Sequence, residues 1–204
     1  MNEPISAKVV LLGESGVGKT SIINQFISKI FKPKNSTSLS AQFTSKVIDF
    51  PDYRKSIRFD IWDTVGQEKY RSLTKIFYKD AKIIIFVYDI TTEYSFSALK
   101  EYWYNETVNN TEGNPIYALC ANKYDLYEKQ VVKNEDGMEF AKKINAIFQN
   151  TSAARDTGIN NLFEKLGKKL LNPKIDLGMA DKESIKLDKK NNNNNNQEGK
   201  KGCC

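Results

Sequence analysis

The chain has 204 residues, of which 40% are apolar, and a formal net charge of +6 from 31 Lys and Arg against 25 Asp and Glu. This length suits one sizeable α/β domain, and the mixing of both charge signs favours a solvated surface over a nucleic-acid-binding groove. The first residues lack a signal-peptide pattern and no apolar stretch reaches the roughly 18 residues of a membrane span, so we expect a protein of the cytosol or of its membrane surfaces.

The first predicted elements are a strand at residues 9–12, a glycine-rich loop and a helix at residues 21–27. Residues 13–20 read Gly-Glu-Ser-Gly-Val-Gly-Lys-Thr, a full match to the phosphate-binding loop pattern. Its glycines let the backbone curl so that successive N–H groups point at phosphate oxygens, and the start of the helix adds positive potential. Lys19 would then reach the outer phosphates and the Thr20 hydroxyl would bind magnesium. A glycine-rich turn without a ligand is the alternative, which the order of strand, loop and helix disfavours.

A β-hairpin is predicted beyond a polar loop at residues 31–38. Residues 42–50 and 56–63 each alternate apolar and polar side chains, and a proline-containing turn separates them. The second strand ends at Asp63, which places a carboxylate at the carboxyl end of a strand. The loop that follows has a glycine pivot at Gly66.

The rest of the chain alternates strands with helices. Apolar runs predict buried parallel strands, and apolar residues at helical spacing predict the helices between them. The predicted strands are residues 83–88, 116–121 and 147–149, and the predicted helices are residues 95–108, 135–147 and 158–171.

This alternation predicts an α/β fold of the P-loop NTPase type, with a mostly parallel six-stranded sheet that contains one antiparallel strand and is covered by helices on both faces. A ligand of such a sheet lies at the carboxyl edge of its strands. The loops that should meet at that edge contain Gly13, Ser38, Asp63, Asn122 and Ser152.

A second motif indicates which base is bound. Asn122-Lys123-Tyr124-Asp125 directly follows the predicted strand at 116–121. A carboxylate in this place can accept the N1 and N2 protons of guanine, which adenine does not offer in that pattern. Four residues are a weak match alone, but the motif follows a phosphate loop and an aspartate–glycine loop in the expected order.

With these motifs in order, the chain resembles small GTPases of the Ras superfamily, and specifically the Rab branch. The resemblance implies binding of GTP or GDP with Mg²⁺, hydrolysis of GTP to GDP and phosphate, and a switch function in vesicle and membrane trafficking. It spans residues 8–171 and rests on residues 13–20, 62–68, 70–73, 88–91, 95–96 and 122–125 and on the terminal Cys203-Cys204.

The resemblance also implies roles for individual residues. Gln67, the one expected catalytic residue, should orient the attacking water, and Gly66 should contact the γ-phosphate through its N–H. Thr20, Ser38 and Asp63 should bind magnesium, the last through water. The expected nucleotide-binding set is Gly13, Glu14, Ser15, Gly16, Val17, Gly18, Lys19, Thr20, Ser21, Phe31, Ser38, Asp63, Gly66, Asn122, Lys123, Asp125, Ser152 and Ala153.

Around the base, the resemblance gives each side chain a place. Phe31 should stack on the guanine edge, and Lys123 should pack along the face of the ring. Asn122 and Asp125 should hold the base, while the segment 152–153 should close over it.

Partners follow from the same resemblance. They are an exchange factor, a GTPase-activating protein, prenyl-delivery or escort proteins, a GDP-dissociation inhibitor, and effectors that contact two switch loops, residues 32–43 and 64–80. Phe43, Trp62 and Phe77 match the aromatic trio that Rab proteins present to effectors. Plain core packing is the alternative for these three rings.

Four departures from the family pattern affect hydrolysis and effector choice. Ser38 replaces Thr, Val65 replaces Ala, Ala154 replaces Lys, and residues 39–43 differ from the usual effector strand. They leave open a GTP-binding membrane recruitment module with negligible intrinsic hydrolysis. An unrelated ATP-dependent P-loop enzyme is a third possibility, which residues 122–125 disfavour.

The predicted domain is residues 1–171, and the tail is residues 172–204. The tail is polar and contains six consecutive asparagines, so we expect it to be disordered. In Rab proteins an ending like Cys203-Cys204 resembles a double geranylgeranylation site, which would place the protein on the cytoplasmic face of intracellular membranes, cycling with the cytosol. An inert terminus is the alternative.

Overall fold

The computed structural model describes residues 3–31, 42–63, 77 and 79–177. Within these residues lie a six-stranded sheet and five α-helices, and the expected fold class is confirmed. The strands are β1 (Ile5–Leu12), β2 (Gln42–Phe50), β3 (Lys55–Asp63), β4 (Ile83–Asp89), β5 (Ile116–Asn122) and β6 (Ile147–Asn150). The α-helices are α1 (Lys19–Ser28), α2 (Glu93–Ala98), α3 (Tyr104–Asn110), α4 (Asn134–Lys143) and α5 (Ile159–Leu171), with a π-helical segment (Leu99–Trp103) between α2 and α3.

The sheet has the strand order β2-β3-β1-β4-β5-β6. Only the β2–β3 hairpin is antiparallel among the described strands, and the other pairs are parallel. Leu11 of β1 pairs with Asp63 of β3, and Asp89 of β4 pairs with Asn122 of β5. The polar residues that end these strands therefore share one edge of the sheet.

An apolar layer lies on each face of the sheet, and β4 and β5 contribute buried side chains to both layers. On one face, the Phe163 ring of α5 stacks on Phe26 of α1 with ring centroids 3.6 Å apart, and Phe59 of β3 meets both rings edge-on. The opposite layer packs α2, α3 and α4 on the sheet around the fully buried Trp103 and Tyr88. No helix among the described residues is both long and apolar enough to cross a bilayer.

Two predicted helices differ from the observed ones. The helix expected at 95–108 begins at Glu93 and contains the π-helical segment, which apolar spacing alone does not reveal. The helix expected at 135–147 ends at Lys143, because Asn145 takes a left-handed conformation with φ of 53° that stops the helix before β6. The predicted boundary at residue 171 stays a prediction, since residues 178–204 lie outside the described residues.

One packing contact yields a stability prediction. Gly167 is buried in α5, and a Cβ added there would overlap the buried ring of Phe50. Alanine favours a helix by about 1 kcal/mol over glycine, but overpacking costs about 1–3 kcal/mol, so Gly167→Ala should lower the free energy of unfolding. Denaturant titration measures this change, and Phe50→Leu in the same chain should recover part of the loss. A Gly167→Ala protein more stable than its parent would contradict the packing.

Candidate functional site

The loop between β1 and α1 lies tightly against its neighbours. Gly13 has φ of 146° and Gly18 has φ of 99°, conformations that favour glycine. A Cβ at Gly13 would overlap the Val87 carbonyl oxygen, and one at Gly18 would overlap the side-chain amide of Asn122. No side-chain hydrogen bond caps the start of α1 at Gly18, and the positive potential at the start of a helix favours an anion there.

Lys19 is buried and spans the mouth of this loop. Its Nζ donates to the main-chain oxygens of Gly13 at 2.8 Å and Glu14 at 2.9 Å. Burial lowers the pKa of Lys19 to about 8, against the opposing charges of Asp63 and Glu14. The ammonium group is therefore mostly charged at neutral pH and lies where phosphate oxygens would enter.

Thr20 and Asp63 form the part of the site that suits a cation. Thr20 Oγ1 donates to Asp63 Oδ2 at 2.5 Å, while Asp63 Oδ1 is buried with no hydrogen-bond partner among the described residues. Burial raises the pKa of Asp63, and the Thr20 hydrogen bond and Lys19 oppose that shift. A hydroxyl and a carboxylate are oxygen ligands that Mg²⁺ accepts, so these residues fit a magnesium site.

Asn122 joins the phosphate loop to the end of β6. Its Nδ2 donates to the Val17 main-chain oxygen at 2.8 Å, and its Oδ1 accepts from Thr151 Oγ1 at 3.1 Å. Only 1% of Asn122 is exposed. The sequence predicted a contact with the base here, and the structure adds a tie between the two halves of the site.

The remaining residues of the second motif are also held in place. Ser152 Oγ donates to Asp125 Oδ1 at 2.5 Å and accepts from the Arg155 main-chain N–H at 3.0 Å. Lys123 has φ of 62° and forms an ion pair with Asp89 at 2.5 Å. Asp125 is only half-buried, so its carboxylate stays accessible to a ligand.

Some of the predicted site residues have contacts that the sequence did not predict, and others lie outside the described residues. The side chain of Glu14 accepts a hydrogen bond from the Trp103 indole, and its main-chain oxygen accepts from Lys19. Phe31 is 38% exposed. Of the other expected residues, Ser15 and Gly16 are exposed, Val17 and Ala153 are buried, Ser21 is half-buried, and Ser38, Val65, Gly66, Gln67, Cys203 and Cys204 lie outside the described residues.

The three rings of the aromatic trio contact one another in series, and Phe77 also packs against the apolar layer that contains Trp103 and Tyr88. Ring centroids lie 5.1 Å apart for Phe43 and Trp62, and 5.7 Å apart for Trp62 and Phe77. Phe43 is 57% exposed, and Trp62 and Phe77 are half-buried. Phe43 is therefore accessible at the surface, whereas Phe77 packs partly against the core.

Sequence reasoning missed three side chains that hold the site. Asp89 ends a strand, as Asp63 and Asn122 do, and that shared pattern could have revealed it. Thr151 directly precedes Ser152, but a lone Thr gives no sign that it binds Asn122. Trp103 lies in a predicted helix, where nothing in the spacing points to the phosphate loop.

Comparisons with known proteins agree with this geometry. The model of the Ras family matches residues 8–172. The chain is 35% identical over 197 residues to the Ras-related protein Rab-22A of Homo sapiens, with 97% of each chain covered. It is 36% identical over 170 residues to the Ras-related protein Rab5A of Oryza sativa subsp. japonica, covering 83% of this chain and 82% of that one. It is also 36% identical over 167 residues to the Ras-related protein RabJ of Dictyostelium discoideum, which is 82% of this chain but 64% of that protein.

The half-buried carboxylate of Asp125 yields a prediction about the base. Asp125→Asn replaces an acceptor pair by one donor and one acceptor, so the preference should move from guanine towards xanthine, with a loss on the order of several kcal/mol for GDP. Competition binding with GDP and xanthosine diphosphate measures the change. Asp52→Asn, at an exposed turn far from this edge, is the matched control. Unchanged GDP affinity in Asp125→Asn would remove the assignment.

Proposed function

Because the chain belongs to the Rab family of Ras-related small GTPases, we propose that it is a switch that hydrolyses GTP to GDP and phosphate in intracellular vesicle and membrane trafficking. The observation that carries the proposal is that one sheet edge brings together a buried lysine at a glycine-rich loop, a hydroxyl–carboxylate pair and an accessible carboxylate on a neighbouring loop. These three features suit phosphates, a cation and a base, in that order.

Nucleotide binding follows from the residues at that edge. Loop N–H groups and the Lys19 ammonium would surround the phosphates, and the main-chain oxygens that Lys19 now contacts would be exchanged in part for phosphate oxygens. Asp125 would accept the N1 and N2 protons of guanine, with Ser152 keeping the carboxylate oriented. The exposed ring of Phe31 would cover the edge of the base.

Thr20 and Asp63 would hold magnesium, with Ser38 as a third ligand carried over from the family motif. When bound, the ion neutralises charge on the phosphate oxygens. The buried Asp63 carboxylate would gain a cationic partner, which favours its ionised form.

Gln67 would orient the water that attacks the γ-phosphorus. The chain contains no His, so no imidazole can act as a general base. Water positioning by Gln67 therefore carries the intrinsic rate in this proposal, and an arginine from a GTPase-activating protein would stabilise the transition state.

The switch loops would transmit the state of the nucleotide to partners. Residues 32–43 and 64–80 would order around the γ-phosphate and relax after its loss. The aromatic trio lies at the borders of these loops, so effectors that contact Phe43 and Trp62 would sense both loops at once. Exchange factors, activating proteins and a GDP-dissociation inhibitor would act on the same loops.

Single-turnover hydrolysis tests the proposed activity. The parent protein should convert bound GTP to GDP, and Gln67→Leu should slow that conversion at least about tenfold, because it removes the group that orients water. Phosphate release measures the rate, with and without an activating protein. ATP should not compete for the site.

A matched variant separates the switch from the recruitment module. Val65→Ala restores the usual family residue beside the γ-phosphate. If the parent is inert and Val65→Ala hydrolyses clearly faster, Val65 obstructs the site and the recruitment module is correct. Hydrolysis by Gln67→Leu at the rate of the parent would place catalysis elsewhere.

For the tail, we propose that residues 172–202 are a tether to the membrane, which they reach through prenylated Cys203 and Cys204. Each buried CH₂ contributes about 0.8 kcal/mol, and a single lipid anchors only marginally whereas a pair holds stably. Lys200 and Lys201 would add attraction to an anionic leaflet. Escort proteins would deliver the chain for this modification.

Replacing both Cys203 and Cys204 by Ser should make the protein wholly cytosolic while GDP binding stays intact. Membrane fractionation of native cells and the intact mass of the purified chain measure the effect. Replacing Asn195 and Asn196 by Ser is the matched control and should leave the membrane fraction unchanged. A double-cysteine variant that still sediments with membranes would contradict lipid anchoring.

A further inference from the structure

One buried hydrogen bond connects the phosphate loop to a helix outside the nucleotide-binding motifs. Trp103 Nε1 donates to Glu14 Oε1 at 3.0 Å, across a sequence separation of 89 residues. Trp103 is fully buried and Glu14 is 8% exposed. A buried carboxylate requires donors, and an indole N–H can only donate, so the pair is chemically matched.

The backbone around Trp103 departs from a regular helix at this point. Trp103 is the last residue of the π-helical segment, and the N–H of Tyr104 donates to the oxygen of Leu99. A π-helical turn contains more residues than an α-helical turn. Side chains that come after it in the chain therefore point in a different direction than they would on a regular α-helix. Such segments in α-helices occur frequently at functional sites.

Glu14 lies between loop residues that have little conformational restraint of their own. Gly13 has φ of 146° and Gly16 has φ of 78°, and glycine loses more backbone freedom on ordering than other residues. The Glu14 main-chain oxygen also accepts from Lys19 at 2.9 Å. A side chain fixed at Glu14 therefore restrains both the curl of the loop and the position of Lys19.

We propose that Trp103 is a positioning residue of the phosphate loop, which acts through Glu14 to keep the loop in its nucleotide-binding conformation and thereby slows nucleotide release. This inference rests on the proposed function, since it concerns how the same loop retains GDP. Trp103 itself contacts no reacting atom and acts only through the carboxylate.

Nucleotide release from the full chain tests the inference. Trp103→Phe keeps an aromatic ring and removes the N–H, so fluorescent GDP should leave about tenfold faster with magnesium present, as expected for the loss of one hydrogen bond to a charged group. Phe140→Leu is the matched control, because Phe140 is a buried ring of α4 in the same apolar layer. At a comparable loss of melting temperature, Phe140→Leu should change release by less than about twofold.

The chemical shift of the Trp103 indole N–H gives a second measurement. It would not respond to Glu14 if Trp103 only filled space in the core. The chain has two tryptophans, so Trp62→Phe identifies the Trp103 indole N–H in a ¹⁵N spectrum of the GDP-bound protein. Glu14→Ala should shift this resonance and speed its hydrogen exchange. It should also speed GDP release, and adding Trp103→Phe to Glu14→Ala should cause no further acceleration.

The outcomes separate the two proposals. A parent protein that binds no guanine nucleotide overturns the proposed function, whatever the variants do. A parent that binds GDP, with Trp103→Phe releasing it at the parental rate or no faster than Phe140→Leu, overturns the positioning role. If Trp103→Phe does not fold, Glu14→Ala decides: an unchanged indole resonance, or GDP release at the parental rate, would overturn the positioning role.

Discussion

A single buried amide, that of Asn122, holds the two halves of the site at a fixed separation. Its hydrogen bonds reach the Val17 main chain on one side and Thr151 on the other. Gly18 leaves the space that this amide occupies. Since both partners are buried, losing either bond would leave an unsatisfied polar group at a cost of about 1–3 kcal/mol. The distance between the proposed phosphate and base pockets therefore depends on one side chain and the glycine beneath it.

The buried charges of the site explain why it suits a charged ligand. Burial lowers the pKa of Lys19 and raises the pKa of Asp63, so each group is moved towards its neutral form. Phosphate oxygens would stabilise the ammonium, and a cation would stabilise the carboxylate. A ligand that supplies both charges would bind the folded state alone and add to its stability. Folding and ligand binding would then be coupled through these two residues.

Much of the fold could be predicted from the sequence because it is encoded locally. Unbroken apolar runs gave β4 and β5, and alternation gave the β2–β3 hairpin at its observed ends or within a residue of them. The π-helical segment has only five residues, too few for apolar spacing to distinguish it from an α-helix, and the early end of α4 depends on the left-handed conformation of Asn145. The candidate site likewise has some residues with a local sequence pattern and others without one. Motif spacing pointed to the predicted site residues, whereas the contact of Trp103 with Glu14 joins distant segments and leaves no local pattern.

The central position of β1 has a consequence for how the chain is made. Both neighbours of β1 come later in the sequence, since β3 ends at Asp63 and β4 begins at Ile83. β1 therefore stays unpaired until β3, the earlier of its two partners in the sequence, has been made, and such long-range pairings are slow to close. During synthesis at about 5–20 residues per second, the apolar run of β1 stays exposed for several seconds. The strand that precedes the phosphate loop is thus open to non-native contacts while the polypeptide grows.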